Sequence, residues 1–483
     1  MAGVTFGIIV GATPGLTTSI GMAIALPLTF YMSPVAAISF LIGINKGGVY
    51  GGSVSAILLR TPGTLAAVTT VFDGYPLAQK GKAGKALKMA IDASVIGDGF
   101  SDLVLIFSAP LFASLALKMG PPEICVLMFF ALTFVAGLSG RSLYKGLIAA
   151  ALGFLFATVG IDPIVGTPRF TFGIFELRRG ISLLPALIGL FAISEILIQG
   201  ERKLVDLGKS VLRFSRNPDD NRVTLEDMKT CGMTILRSSI IGTFVGALPG
   251  LGSSVAAALS YGVARKMSKR PELFGKGSLE GVAACEAGNN ATVGATYIPL
   301  LTLGIPGSVP AAVLLGGLMI QGITPGPLIF QKQAHLIYPI FGLMLVANLI
   351  NLFLGNIGAR FFLHIAKIPR RIIFPILTLV CITGVYTINN SLLDVKLMIV
   401  FGLLGYLLRK LDFPLLALLL GFILEPHFEV SLRQSLLMSG GNPTIFLVRP
   451  VSLILLICTI LFVGLLGKSF GRKLGAAKGI KGS

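Results

Sequence analysis

The chain carries little charge for its length. Charged residues make up 13% of 483, about half the share of an ordinary soluble domain. Hydrophobic residues make up 54%, and mean hydropathy is +0.87. That excludes a water-soluble globular fold and points to a polytopic membrane protein. Tryptophan is absent, so interfacial anchoring falls to Tyr, Lys and Arg. The cysteines, Cys125, Cys231, Cys285, Cys381 and Cys458, form no C-x-x-C pair, and four of them lie within apolar runs. They read as small buried hydrophobes, which excludes a disulfide framework. Three lone histidines, His335, His364 and His427, show no metal-ligand spacing. There is no H-E-x-x-H and no G-x-S-x-G with a partnered histidine, so the familiar hydrolase sets are missing. The apolar runs are continuous rather than alternating, which argues against a β-barrel. No basic n-region precedes the first apolar run, so no cleavable signal peptide is expected. The net charge of +19 sits in short loops between apolar runs. It is a topology signal and implies no nucleic-acid partner.

Glycine and proline are plentiful, at 60 and 26 residues. The stretch from Gly246 to Pro327 is apolar yet full of breakers and small polar side chains. Pro249, Gly250 and Gly252 interrupt one run, and Ser253 and Ser254 follow. Glu286, Asn289, Asn290 and Thr292 open the next run, which Pro306, Gly307 and Ser308 break. A second copy lies near the N-terminus. GATPGLTTSIGMAIALPLTF at 11–30 answers GALPGLGSSVAAALSYGVAR at 246–265, and INKGGVYGGSVSAILLRTPGT at 44–64 answers GNNATVGATYIPLLTLGIPGS at 288–308. Pro14 then falls on Pro249, Asn45 on Asn289, Pro62 on Pro306 and Thr64 on Ser308. Pro14 and Pro62 are 48 residues apart, Pro249 and Pro306 are 57, and the charged insert around Arg265–Lys276 takes up the difference. Paired interrupted segments in two halves are the sequence signature of a transporter site.

The expected fold is an all-α polytopic membrane protein of two structural repeats, inverted, with re-entrant or broken helices at the midplane. The halves are 1–200 and 231–467, joined by a cytoplasmic loop at 201–230 and followed by a basic cytoplasmic tail at 468–483. At about 20 residues per span, ten to twelve crossings are expected. Asp73–Pro76 ends the first unit, and Lys80, Lys82, Lys85 and Lys88 form a basic loop. Thr224 and Asp227 are spaced to cap the helix after the long loop. Lys367–Arg371 is a basic turn, and Asp92, Asp98 and Asp102 lie inside one long apolar segment. The loops at 80–88, 201–229 and 265–276 and the tail face the cytoplasm. The tip Pro249–Ser254 then belongs either to a re-entrant hairpin or to a full span kinked at Pro249.

The broken segments carry the chemistry. Backbone N–H groups at a helix start suit carboxylates, so Gly15, Thr17, Thr18 and Ser19, with Gly250, Gly252, Ser253 and Ser254, are candidate substrate ligands. Lys46 and Gly47 join them, because a cation inside an apolar region is costly. Lys46 either neutralises an anion or reaches to the surface. Carbonyls and amides suit Na⁺, so Asn45, Thr64, Asn289, Asn290, Thr292 and Ser308 are candidate ion ligands. Equally, the Ser and Thr hydroxyls could satisfy only local backbone. Asp98 and Asp102 either carry protons or pair with a cation. No cofactor is expected beyond a coupling ion, Na⁺ or H⁺. The four clusters, Pro14–Ser19, Asn45–Gly48, Pro249–Ser254 and Asn289–Thr292, are expected to share one hydrated cavity, because unpaired polar groups in hydrocarbon are costly.

At these residues the chain resembles the large membrane subunit, TctA, of the bacterial tripartite tricarboxylate transporters. The matching pieces are PGLTTSIGMAIALPLTF, YGGSVSAILLRTPGT, DGYPLAQKGKAGKAL, TFGIFELRRGI with ALIGLFAISE, ALPGLGSSVAAALSYG and EAGNNATVGATYIPLLTLGIPGS. They span nearly the whole chain. The resemblance implies a secondary carrier for citrate-like carboxylates in the bacterial inner membrane, driven by a cation gradient. Its implied partners are a small membrane subunit and a periplasmic solute-binding protein. It also implies a longer lead-in before Pro14 and a small residue at Glu425. The alternatives are a stand-alone ion-coupled organic-anion carrier and an intramembrane aspartyl hydrolase built on Asp98 and Asp102.

Overall fold

Glycines set the distances between the helices that matter most. Helix α1 (Ala2–Ala12) carries Gly3, Gly7 and Gly11 one turn apart. After α2 (Thr18–Ala25), helix α3 (Pro34–Leu59) carries Gly43, Gly47 and Gly51 in the same register. A Cβ at Gly3, Gly7 or Gly11 would strike the carbonyl oxygen of Phe40, Ile44 or Gly48. The two helices therefore lie backbone against backbone. Small residues allow this approach in membranes, where packing rather than water exclusion drives association.

The computed structural model describes residues 1–13, 15–138, 142–201, 215, 217–365 and 370–479, with only the backbone at 359–365, 370–373 and 466–479. Expectations for Pro14, for residues 202–214 and 216 of the 201–229 loop, for the basic turn from Lys367 and for the side chains of the basic tail fall outside the described residues, and the end of that expected loop, from Leu225, is helical. In chain order, α4 (Ala67–Leu77), α5 (Ala83–Ala116), α6 (Pro121–Leu138) and α7 (Leu143–Ala157) lead to an antiparallel hairpin of β1 (Gly160–Ile161) and β2 (Pro168–Arg169). Next come α8 (Leu183–Leu187) and α9 (Ser194–Glu201), which form one helical run. Then follow α10 (Leu225–Ala247), α11 (Gly252–Met267), α12 (Leu279–Ala295), α13 (Tyr297–Leu303), α14 (Val309–Ile320) and the short α15 (Ile329–Lys332). The chain ends with α16 (Ala334–Ile365), α17 (Arg370–Asn389), α18 (Leu392–Lys410), α19 (Leu415–Met438), the short α20 (Ile445–Val448) and α21 (Pro450–Gly479).

The protein is all-α and polytopic. Among the described residues, Ala67–Ala116, Pro121–Leu138, Leu183–Glu201, Ala334–Gly358 and Leu415–Met438 are long and apolar enough to cross a membrane, and the other apolar helices are shorter. Thr224 and Asp227 form the expected capping box at the start of α10: each side chain accepts the other's backbone N–H. Cys125, Cys231, Cys285 and Cys381 are buried, and Cys458 is exposed.

The chain divides into two compact units, each discontinuous in sequence. One is Met1–Ala113 with Phe191–Ser391; the other is Ser114–Leu190 with Leu392–Ser483. In the first, α10 and α12 repeat the glycine contact of α1 and α3. A Cβ at Gly242 would strike the Gly288 carbonyl, and one at Gly246 would lie 2.7 Å from Thr292 Cα. In the second unit, Gly153 of α7 faces the Leu418 carbonyl of α19, and Gly421 faces that of Ala150. The β-hairpin is tied to α19 by charge. Arg169 holds Glu429 with two hydrogen bonds, of 2.8 and 3.1 Å, and Arg433 Nη2 lies 3.0 Å from Asp162 Oδ2. Asp162 also accepts the backbone N–H groups of Val165 and Ile164, which, with Arg433, hold its carboxyl well below the usual carboxylate range.

Three expectations are corrected here. Asn45–Gly48 is not a break but the middle of α3, and Asn289–Thr292 is likewise inside α12. Their small residues serve close helix contact, and the helical backbone satisfies itself. Asp73–Pro76 is helical within α4, and the lysines from Lys80 to Lys88 ride on a helix that continues through a kink at Gly81, φ 82°, instead of forming a loop. Asp73 is buried there, where Oδ1 accepts the N–H groups of Gly275, Gly277 and Ser278 at 2.8 Å and so pins the segment leading into α12.

Gly7→Ala and Gly242→Ala are each expected to cost about 1–3 kcal/mol through overpacking. Gly232→Ala, where a Cβ meets open space, should be neutral or stabilising by up to about 1 kcal/mol. Thermal unfolding in detergent ranks the three, and equal melting temperatures would contradict the backbone-contact account.

Candidate substrate and ion site

The chain breaks come in two pairs with closely similar backbone geometry. Helix α1 ends at Thr13 (φ −82°, ψ 113°) and α10 at Leu248 (φ −89°, ψ 115°). Two residues on, Gly15 has φ 89° and Gly250 has φ 88°, a conformation that glycine enters without steric cost. Helix α3 ends in a left-handed residue, Arg60 (φ 56°, ψ 19°), and α13 ends in Gly304 (φ 72°, ψ 16°). Each first break leans on the second break of its own segment. A Cβ at Gly63 would strike the Gly11 carbonyl, and Gly250 N–H donates to the Gly307 carbonyl at 2.9 Å. The two tips differ at the next helix start: Thr17 is extended (φ −92°), whereas Gly252 is left-handed (φ 73°).

The candidate ligands divide by whether their polar atoms are already used. Thr64 Oγ1 accepts Ala67 N–H at 3.4 Å beside the start of α4, and Ser308 Oγ accepts Ala311 N–H at 3.3 Å and so caps α14. Thr292 Oγ1 donates to the Asn289 carbonyl at 2.7 Å. Asn45 Nδ2 donates to Tyr297 Oη at 2.7 Å, a contact that joins the two broken segments. In contrast, Thr18 Oγ1, Asn45 Oδ1, Asn290 Oδ1 and both amide atoms of Asn289 are buried without a hydrogen-bond partner. Native proteins rarely leave such atoms unpaired without a reason. Thr18 packs its side chain 3.0 Å from where a Gly48 Cβ would stand, which puts the first tip against the polar stretch of α3. Gly47 lies inside the α1–α3 contact. Gly15, Thr17, Ser19, Gly250, Gly252, Ser253 and Ser254 are half-buried or lie at the tips.

Lys46 does not reach the surface. Its side chain is 0% exposed, and Nζ lies 2.8 Å from Asp98 Oδ2 and 2.7 Å from Asp102 Oδ2. Asn348 Oδ1 is its third partner at 3.2 Å, while Asn348 Nδ2 donates to Asp102 Oδ2 at 2.9 Å. The sequence spaced Asp98 and Asp102 four apart, on one face of α5, but gave no hint of the partner. The three donors of the ammonium are spent, so it is no unpaired cation awaiting a substrate. Asp98 Oδ1 and Asp102 Oδ1 keep no hydrogen-bond partner.

Sequence reading missed Asn348, Tyr297 and the surroundings of Glu286. Glu286 is wholly buried, and Ser53 of α3, Thr70 of α4 and Ser94 of α5 turn their hydroxyls onto its carboxyl group. A lone Asn or Glu inside an apolar run is the signal that marks such residues, and Asn348, Asn351 and Glu286 all carry it.

Comparison with known proteins bears on what these breaks serve. The family model described as tripartite tricarboxylate transporter TctA family matches residues 1–420. An uncharacterized 52.8 kDa protein in the TAR-I ttuC' 3' region of Agrobacterium vitis is 37% identical over 454 residues, covering 94% of this chain and 89% of that protein. An uncharacterized protein in the TAR-II ttuC' 3' region of the same organism is 39% identical over 224 residues, covering 46% of this chain and 93% of that protein. No solved structure matches.

Lys46→Met would leave Asp98 and Asp102 buried without their cation and is expected to cost about 3–5 kcal/mol. The triple variant with Asp98→Asn and Asp102→Asn should recover most of that loss, as judged by thermal unfolding in detergent. A single Lys46→Met as stable as the parent would contradict the triad.

Proposed function

The chain belongs to the tripartite tricarboxylate transporter TctA family, and from that premise we propose that it is the membrane carrier subunit of a binding-protein-dependent secondary transporter. It imports tricarboxylates or related citrate-like carboxylates across the bacterial inner membrane. A periplasmic solute-binding protein delivers the substrate, a small membrane subunit completes the complex, and a cation gradient drives uptake. The family is one of transporters, and the hydrolase reading gains no support from two aspartates whose Oδ2 atoms share one ammonium.

The observation that carries this reading is the pair of matched chain breaks with unpartnered buried polar atoms beside them. On this reading the two segments are copies of one unit, inverted in the membrane, and their tips enter as re-entrant hairpins. Backbone N–H groups and hydroxyls at Gly15, Thr17, Thr18 and Ser19, with those at Gly252, Ser253 and Ser254, receive the substrate carboxylates, and Gly250, whose N–H is held by the Gly307 carbonyl, shapes the second tip. The open amide oxygens of Asn45, Asn289 and Asn290 are the groups offered to a cation. Thr64, Thr292 and Ser308 support these positions by holding the local backbone. Lys46 acts as the fixed cation of its triad. A site drawn from both segments can be exposed to each side in turn by moving one part against another.

Reconstitution with the small subunit and the binding protein tests the proposal. Labelled citrate uptake should require all three components, and uptake by this chain alone would favour a stand-alone carrier. Thr18→Trp with Ser253→Trp should reduce uptake at least ten-fold while membrane insertion stays normal. Near-normal uptake in that double variant would show that the tips do not form the site. Replacing Na⁺ by choline at fixed pH separates a Na⁺-driven carrier, whose uptake collapses, from a proton-driven one.

A further inference from the structure

Glu286 is an acid buried without a base. It is 0% exposed, and among the described residues no lysine, arginine or histidine lies within ion-pair distance of it. Its neighbours are hydroxyls and one amide. Ser53 Oγ lies 2.7 Å from Oε1 and 2.7 Å from Oε2. Thr70 Oγ1 lies 2.5 Å from Oε1, and Ser94 Oγ lies 3.2 Å from Oε2. Asn290 Nδ2 donates to Ser94 Oγ at 2.8 Å and to the Glu286 carbonyl at 2.9 Å. An ionised carboxylate held in this way would lack any neutralising charge in a low-dielectric interior, which costs several kcal/mol.

The hydrogen count leaves room for a proton on the carboxyl group. A serine hydroxyl has one hydrogen to give. Ser53 can share it between the two carboxyl oxygens, or give it to one of them and accept a proton from the other. A protonated carboxyl closes the ring: it donates to Ser53 Oγ from one oxygen and accepts the Ser53 hydrogen on the other. A cation between these oxygens would hold each of them about 2.3–2.6 Å from itself and so spread them apart. Oxygens 2.5–2.7 Å from one another are joined by hydrogen bonds instead.

We propose that Glu286 is a proton-binding site of the transport cycle, distinct from the Lys46–Asp98–Asp102 triad and from the Asn45 and Asn289 amides. The proposal rests on the carrier reading given above. The site lies among α3, α4, α5 and α12, between the broken segments. The proton binds and leaves as H⁺, with Ser53 and Thr70 as the hydroxyls through which it passes, and no other bond changes. The titratable groups nearest it are Tyr50 of α3 and Cys285 beside it on α12, which in turn interact with Asp92 of α5 and Asp73 of α4. Asp73 is committed to Tyr261 of α11 and to the N–H groups at 275–278. None of the four supplies a counter-charge.

Two measurements test it. In proteoliposomes holding the whole complex, carboxylate accumulation driven by a pH gradient is compared with carboxylate exchange at equal pH. In Glu286→Gln the ratio of accumulation to exchange should fall at least ten-fold, and a ratio equal to the parent's would overturn the proposal. If the parent complex itself exchanges no carboxylate, the carrier reading fails instead. The second measurement needs no transport. Infrared spectra of the purified chain at neutral pH should contain a protonated-carboxyl stretching band that Ser53→Ala or Thr70→Val shifts and Glu286→Gln removes. A parent spectrum without any such band, or a band that none of the three variants alters, would overturn the proposal even if Glu286→Gln could not be purified.

Discussion

The contact of α1 with α3, and of α10 with α12, is made at backbone distance, and most of the candidate site depends on it. Glycines 7 and 11 on α1 and glycines 242 and 246 on α10 leave no room for a side chain. That closeness fixes where α3 and α12 lie. These two helices carry Asn45, Lys46 and Ser53 on one side and Glu286, Asn289 and Asn290 on the other. The same closeness sets the breaks, because Gly63 meets Gly11 and Gly307 approaches Gly246 and Pro249. A membrane helix gains little from hiding apolar surface in a lipid that is equally apolar, so such fits carry the association.

Inside this frame the polar groups fall into two kinds. Some are answered: Lys46 by two carboxylates and an amide, Asp73 by three backbone N–H groups and Tyr261, Thr64 and Ser308 by backbone N–H groups at the starts of α4 and α14. Others are not, among them the Asn289 amide, Asn45 Oδ1, Asn290 Oδ1, Thr18 Oγ1 and the Oδ1 atoms of Asp98 and Asp102. Answered groups fix structure, and unanswered buried ones are where a ligand gains most. Of the ion ligands expected from the sequence, this division leaves Asn45, Asn289 and Asn290 with open polar atoms.

The breaks themselves were legible. A proline followed by a glycine inside an apolar run announces lost helix, and Gly15 and Gly250 have the positive φ that such a step requires. The capping box at Thr224 and Asp227 was legible for the same reason, since its chemistry is local. The polar stretches at 45–48 and 289–292 look like breaks in the sequence and are helix in the structure. Glycines and asparagines look alike to a local rule whether they loosen a helix or let another helix approach. The partners of Lys46 were unreadable in principle: Asp98 is 52 residues away and Asn348 is 302. Only the packing of α3, α5 and α16 brings them together.

The central claim is that both broken segments contribute to one substrate site. Protection from thiol modification tests it, in a Cys458→Ala background that removes the exposed native thiol. Thr18→Cys and Ser253→Cys are labelled separately with a membrane-permeant reagent while citrate concentration is raised. The account predicts that citrate slows labelling at both positions with the same half-protecting concentration. Protection at one position with unchanged labelling at the other would contradict a shared site.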